Sequence, residues 1–192
     1  AYAQRLFGLA PEHQYWLAAV ILSLATMVNS PGADWAGRVN TLSLTALAAM
    51  VSYIILSRFH DGLAGLAIMS DVMASPAGLQ YTRVWPVCVI LFWAYIGWEN
   101  LSFGLDEFRN PQRSIPQVYW SSFAIVVAVY MSLAAVTIGA AALGVKIAGA
   151  AGLVELVPRS GFGAAVTAVM LMVILANANA WVFGASRLVY SA

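Results

Sequence analysis

Apolar residues run along this chain in long unbroken blocks, and the polar residues collect between the blocks. A helix needs roughly 20 mostly apolar residues to cross a hydrocarbon layer about 30 Å thick. Five windows approach that requirement, at about 14–28, 40–56, 85–105, 118–143 and 163–190, the first of them short. None alternates apolar and polar positions over ten residues as a barrel strand does, and an open strand leaves its backbone unsatisfied in lipid. The pattern therefore predicts an all-α fold, a polytopic transmembrane helical bundle forming one domain over 1–192.

Pro and Gly punctuate the connections at 29–34, 57–84, 109–117 and 144–162, which also hold Arg58, Asp61, Asp71, Arg83, Glu155 and Arg159. The charges mark water. Residues 63–73 contain few breakers, so a short helix lying along the membrane surface is expected there. Five crossings put the two ends on opposite sides. Arg109 and Arg113 share one short connection, which points that side toward the cytoplasm.

Composition sharpens the picture. The chain is 62% hydrophobic and 9% charged, against roughly 45–50% and 25% in soluble domains. So few charges cannot clothe a water-soluble surface. The net charge of +1 offers no basic field for nucleic acid. Cys88, His13 and His60 are the only cysteine and histidines, so neither a disulfide nor a metal cluster is expected, and no cofactor is implied. No His-Glu-x-x-His helix or Gly-x-Ser-x-Gly elbow is present, which argues against an enzyme. The chain starts without Met and both ends break off within a pattern, so it reads as a portion of a longer protein.

The third window carries the chemistry. Glu99 falls near mid-membrane, where an ionised carboxylate costs on the order of 2.5–3.5 kcal/mol on insertion scales. It needs a partner helix, a wet cavity or a proton. Two roles stand side by side: a group that binds and releases a proton, and a structural hydrogen bond between helices. Gly97 and Gly104 loosen the same helix, and irregular backbone at this depth is tolerated only when buried in protein or lining a cavity. Plain packing accounts for such glycines equally well. Trp93 and Trp98 lie too deep for the interfacial belt that suits Trp16, Trp35 and Trp85. In the fifth window Asn177 and Asn179 precede Trp181, and interhelical hydrogen bonding is expected of both amides, with lining of a polar path as the alternative.

Gly97-Trp98-Glu99, the acidic Glu107 and the run Arg109-Asn110-Pro111-Gln112-Arg113-Ser114-Ile115-Pro116 together resemble the amino acid–polyamine–organocation permeases. Gly37-Arg38-Val39-Asn40 and the stretch from Asn179 to Tyr190 resemble the entry to that family's fifth helix and the end of its eighth. The resemblance implies that the chain holds the fourth to eighth helices of a larger permease. It implies a partial inverted-repeat transporter fold, with a discontinuous helix near 93–100. It further implies that backbone at Trp93 and Ile96, beside the unwinding at Gly97, meets an amino acid substrate, with Trp93 and Trp181 as aromatic walls and Glu99 as a proton-sensitive gate. The implied setting is a multi-pass protein of the inner or plasma membrane, and the implied partners are the amino acid, the lipid bilayer, protons and the missing helices of the parent. The second window departs from some proton-coupled members, which place a lysine near the position of Leu47. A structural or sensory membrane subunit without transport is the competing class, and it leaves Glu99 unexplained.

Overall fold

The computed structural model describes residues 8, 10–75, 84–89, 92, 110–147, 152–157 and 162–191. After a single 3-10 turn at Pro11–His13, the helices are α1 (Gln14–Asn29), α2 (Ala33–Ser57), α3 (Phe59–Ala74), α4 (Pro111–Ala142), α5 (Gly152–Glu155) and α6 (Gly163–Ser191). Residues 84–89 are also helical. Among the described residues three helices are long and apolar enough to cross a membrane, at Asp34–Ser57, Pro111–Ala142 and Gly163–Ser186, and Tyr15–Asn29 is a shorter apolar one. The third expected window lies largely outside the described residues, including the stretch near 93–100 where a discontinuity is expected.

Two helices begin earlier than their apolar windows. α2 starts at Ala33 rather than near 40, with Asp34 in its first turn, where a carboxylate complements the positive end of the helix dipole. α4 starts at Pro111 rather than near 118, with proline at the first helical position, where the missing N–H is no loss. An apolar window reports hydrocarbon depth, whereas the helix continues into the polar layer beyond it. The other end of α4 is closed by Gly144 at φ +88°. There the Val145 N–H donates to Ala140 O at 2.9 Å and the Gly144 N–H to Ala141 O at 3.0 Å. This is the glycine-terminated hydrogen-bond pair that satisfies a helix's last carbonyls.

The core sits at one end of the bundle. Met50, Val51 and Ile54 of α2, Val136 and Ala140 of α4, Val154 of α5, Leu156, Val157, and Val166 of α6 form one buried cluster. α2 and α4 both finish there and α6 departs from it, and α6 runs antiparallel to α2. Elsewhere large apolar side chains such as Trp16, Leu22, Leu42 and Trp120 stand exposed. That is the pattern of a surface made for hydrocarbon or for further helices, not for water.

The short helix expected at 63–73 is found as part of α3. It packs antiparallel along the second half of α4. A Cβ on Gly65 would meet the Ala135 carbonyl oxygen, and a Cβ on Gly139 the Asp61 carbonyl oxygen. Two glycines thus let the backbones touch, the device by which small residues bring helices together.

Arg58 turns the corner between α2 and α3. Its Nε donates to Leu156 O at 2.9 Å, and its Nη1 lies 2.9 Å from Asp61 Oδ2. One guanidinium thereby ties the segment after α5 to the α2–α3 junction. Arg58→Ala is expected to lower stability by about 1–2 kcal/mol, the pair being only partly buried. Arg58→Lys should not restore it, because an ammonium cannot serve both partners with the planar fork. Denaturant unfolding of the purified full-length parent measures both.

Candidate functional site

Asn177 and Asn179 sit near the middle of α6, two residues and therefore roughly 200° apart around the helix. The sequence treats them alike. The fold separates them. Asn179 is fully buried. Its Nδ2 donates to Asn40 Oδ1 of α2 at 2.9 Å and, more weakly, to Ala36 O at 3.4 Å. In return Asn29 Nδ2 of α1 donates to Asn179 O at 3.0 Å and also to Asn179 Oδ1. Three asparagines on three helices therefore form one amide node. Buried Ser43 lies one turn beyond Asn40, its hydroxyl donating to Val39 O at 2.8 Å.

This node lies about 20 Å along α6 from Val166 of the apolar cluster, at the helical rise of about 1.5 Å per residue. Burying a neutral amide without partners is unfavourable, so these side chains fix which helix faces meet. Sequence reasoning missed Asn29 and Asn40 as members. One was read as part of a turn and the other as part of a motif at a helix entry, and no local spacing links either to Asn179.

Asn177 is exposed and makes no hydrogen bond among the described residues. It shares a flank of α6 with Ile174 and with Trp181, which is 41% exposed. Trp181 is the one expected substrate-binding residue within the described structure. Trp93, Ile96, Gly97 and Glu99 lie outside the described residues.

α2 also presents polar groups away from the bundle. Asp34, Arg38, Thr41, Thr45 and Ser52 are exposed and recur at three-, four- and seven-residue steps, which places them on one flank. Trp35, Leu42, Tyr53 and Leu56 occupy the neighbouring flank. A hollow of about 580 Å³ lies against Asp34, Gly37, Arg38, Thr41, Leu42 and Thr45. The two threonines bond one turn back, Thr41 to Gly37 O at 2.9 Å and Thr45 to Thr41 O at 2.8 Å. Such back-bonding satisfies the hydroxyl hydrogen within the helix. A second hollow, of about 740 Å³, opens at the opposite end between Arg58, Lys146 and Glu155. Among the described residues no three His, Cys, Asp or Glu side chains gather to hold a metal.

Span-length apolar helices joined by a buried amide node, with apolar side chains turned outward, define a helical membrane protein. The chain belongs to the amino acid permease family, whose profile matches residues 1–192. The resemblance carried by Gly97-Trp98-Glu99 and the loop from Arg109 to Pro116 is borne out at that level. Membership sets the chain among permeases and not among enzymes.

Among curated relatives, the L-methionine/branched-chain amino acid exporter YjeH of Escherichia coli (strain K12) is 23% identical, covering 99% of this chain and 45% of the relative. The uncharacterized amino acid permease YecA of Bacillus subtilis (strain 168) is 22% identical, over 91% of this chain and 40% of the relative. The branched-chain amino acid permease BcaP of Lactococcus lactis subsp. cremoris (strain MG1363) is 23% identical, over 91% of this chain and 39% of the relative. The chain thus spans less than half the length of each. No solved structure matches it.

Proposed function

We propose that this chain is the central part of a secondary amino acid transporter that works by alternating access in a cell membrane, the inner or plasma membrane, as a multi-pass protein. The observation that carries the reading is the family match from the first residue to the last. Neutral apolar amino acids are the proposed substrates. Support comes from the names of two relatives, one an exporter of L-methionine and branched-chain amino acids and one a branched-chain amino acid permease. The aromatic and apolar character of the third window, Glu99 and Asn100 apart, agrees with that class.

In this reading the backbone at Trp93 and Ile96, loosened at Gly97, receives the ammonium group of the substrate. Trp93 and Trp181 flank its side chain, and Glu99 gates the path by gaining or losing a proton. The remaining helices of the parent complete the site, and coupling runs as proton-linked symport, exchange or export.

The test is flux of labelled L-leucine and L-methionine in proteoliposomes of the full-length parent. Saturable flux, competed by other neutral amino acids, is expected. A folded, inserted protein without flux would favour a structural or sensory subunit instead. In the same assay Glu99→Gln should retain the fold and flatten the dependence of flux on pH, since an amide does not titrate. An unchanged pH profile would remove Glu99 from the gate.

A further inference from the structure

Among the described residues the bundle uses one of the two central amides of α6 and leaves the other without a partner. We infer that Asn177 faces the water-filled substrate path of the assembled permease and, with Trp181 one turn on, contacts the amino acid in transit. The inference rests on the transport reading above and adds to it a residue on the opposite face of α6 from the structural node.

Asn177 is the central residue of α6, which runs over 29 residues from Gly163 to Ser191. An amide offers two donors and one carbonyl acceptor, and hydrocarbon supplies partners for none of them. Other polar side chains of this protein silence themselves by bonding one turn back. Thr167 Oγ1 donates to Gly163 O at 2.7 Å, and Asn29 Nδ2 to Ala25 O at 3.1 Å. Asn177 makes no such bond among the described residues, although its helix continues a full turn before it. Its amide is therefore left to whatever covers this flank in the whole protein.

Two observations select a substrate path over lipid. First, the chain spans less than half the length of its curated relatives, which leaves further helices to cover part of the surface exposed here. Second, the flank is chemically mixed at one depth, with Ile174 a turn before Asn177 and the half-exposed Trp181 a turn after. A neutral amide between aliphatic and aromatic surface suits an amino acid with an apolar side chain. Its N–H groups can donate to the carboxylate or its carbonyl can accept from the ammonium, without adding charge to the path.

The experiment uses the full-length parent with all its native cysteines, Cys88 included, replaced by serine, in proteoliposomes, and a membrane-impermeant methanethiosulfonate. Asn177→Cys should label, Ala176→Cys, a buried neighbour, should not, and saturating L-leucine or L-methionine should slow labelling of the first several-fold. A second variant, Asn177→Leu, should keep its abundance and melting temperature while KM rises roughly tenfold, the effect of deleting one hydrogen bond to substrate. An unreactive thiol in Asn177→Cys, labelling indifferent to every amino acid the parent carries, or an unchanged KM in Asn177→Leu would each overturn the inference. So would a loss of stability in Asn177→Leu, which would mark a structural amide. Flux of the unsubstituted parent, recorded alongside, tells failure of the transport reading from failure of this one.

Discussion

Asn179→Leu is expected to destabilise the full-length parent by about 2–3 kcal/mol, although leucine has the same heavy-atom count and branching as asparagine and suits the apolar setting. The substitution deletes the donor to Asn40 Oδ1 and the side-chain acceptor for Asn29 Nδ2. It thereby strands Asn40 Oδ1 on α2, whereas Asn29 Nδ2 keeps the backbone oxygens of Asn179 and Ala25 as acceptors. Interhelical hydrogen bonds in membrane proteins average about 0.6 kcal/mol and reach about 1.7, while an orphaned buried group costs about 1–3 kcal/mol. The stranded acceptor dominates. Asn40→Leu in the same molecule should recover part of the loss, because the pair then leaves fewer orphans. Unfolding of the purified protein in mixed detergent measures both variants, and a change within about 0.5 kcal/mol for Asn179→Leu would mean that the node does not hold the helices.

Gly139→Ala should be at least as damaging, at about 3 kcal/mol or more, the upper end of overpacking costs. On an isolated helix the change would be favourable by about 0.5–1 kcal/mol, since glycine weakens helices relative to alanine. The contact reverses the sign. The new Cβ would fall on the Asp61 carbonyl, which is backbone and cannot swing aside as a side chain does. α3 would have to move off α4. Gly62→Ala supplies the contrast, because its Cβ would lie 3.3 Å from Val136 Cγ2, a side-chain atom that can shift by a few tenths of an ångström. That variant should stay within about 1 kcal/mol of the parent. Equal stabilities for the two variants would refute the backbone contact as the feature that sets the α3–α4 distance.

Much of the architecture was legible without coordinates, because lipid imposes a coarse rule. Hydrocarbon admits only long apolar segments with internally satisfied backbone, so composition and block length alone announced a helical membrane protein. The family, too, could be read from contiguous residues, since the glycine–aromatic–glutamate step and the loop from Arg109 to Pro116 are local in the chain. Helix ends were less legible. The polar run before Val118 looks like loop to a hydropathy window, yet its proline and the polar layer it occupies suit a helix start.

Particular contacts needed the third dimension. Arg58 reads from its neighbours as a solvated loop charge, and only the fold brings Leu156 O to its Nε. Glycines at 65 and 139 show no common period, and their meeting depends on how α3 folds back along α4.

By itself, then, the sequence determined the solvent, the helical class and the family, because each is written in composition or in neighbouring residues. Only the tertiary structure decided which amide of the Asn177 and Asn179 pair is buried. Helical periodicity puts the two on opposite faces, but it cannot say which face the other helices will take. That choice is made by Asn29 and Asn40, 150 and 139 residues away along the chain, and hydrogen bonding across such separations leaves no local pattern to read.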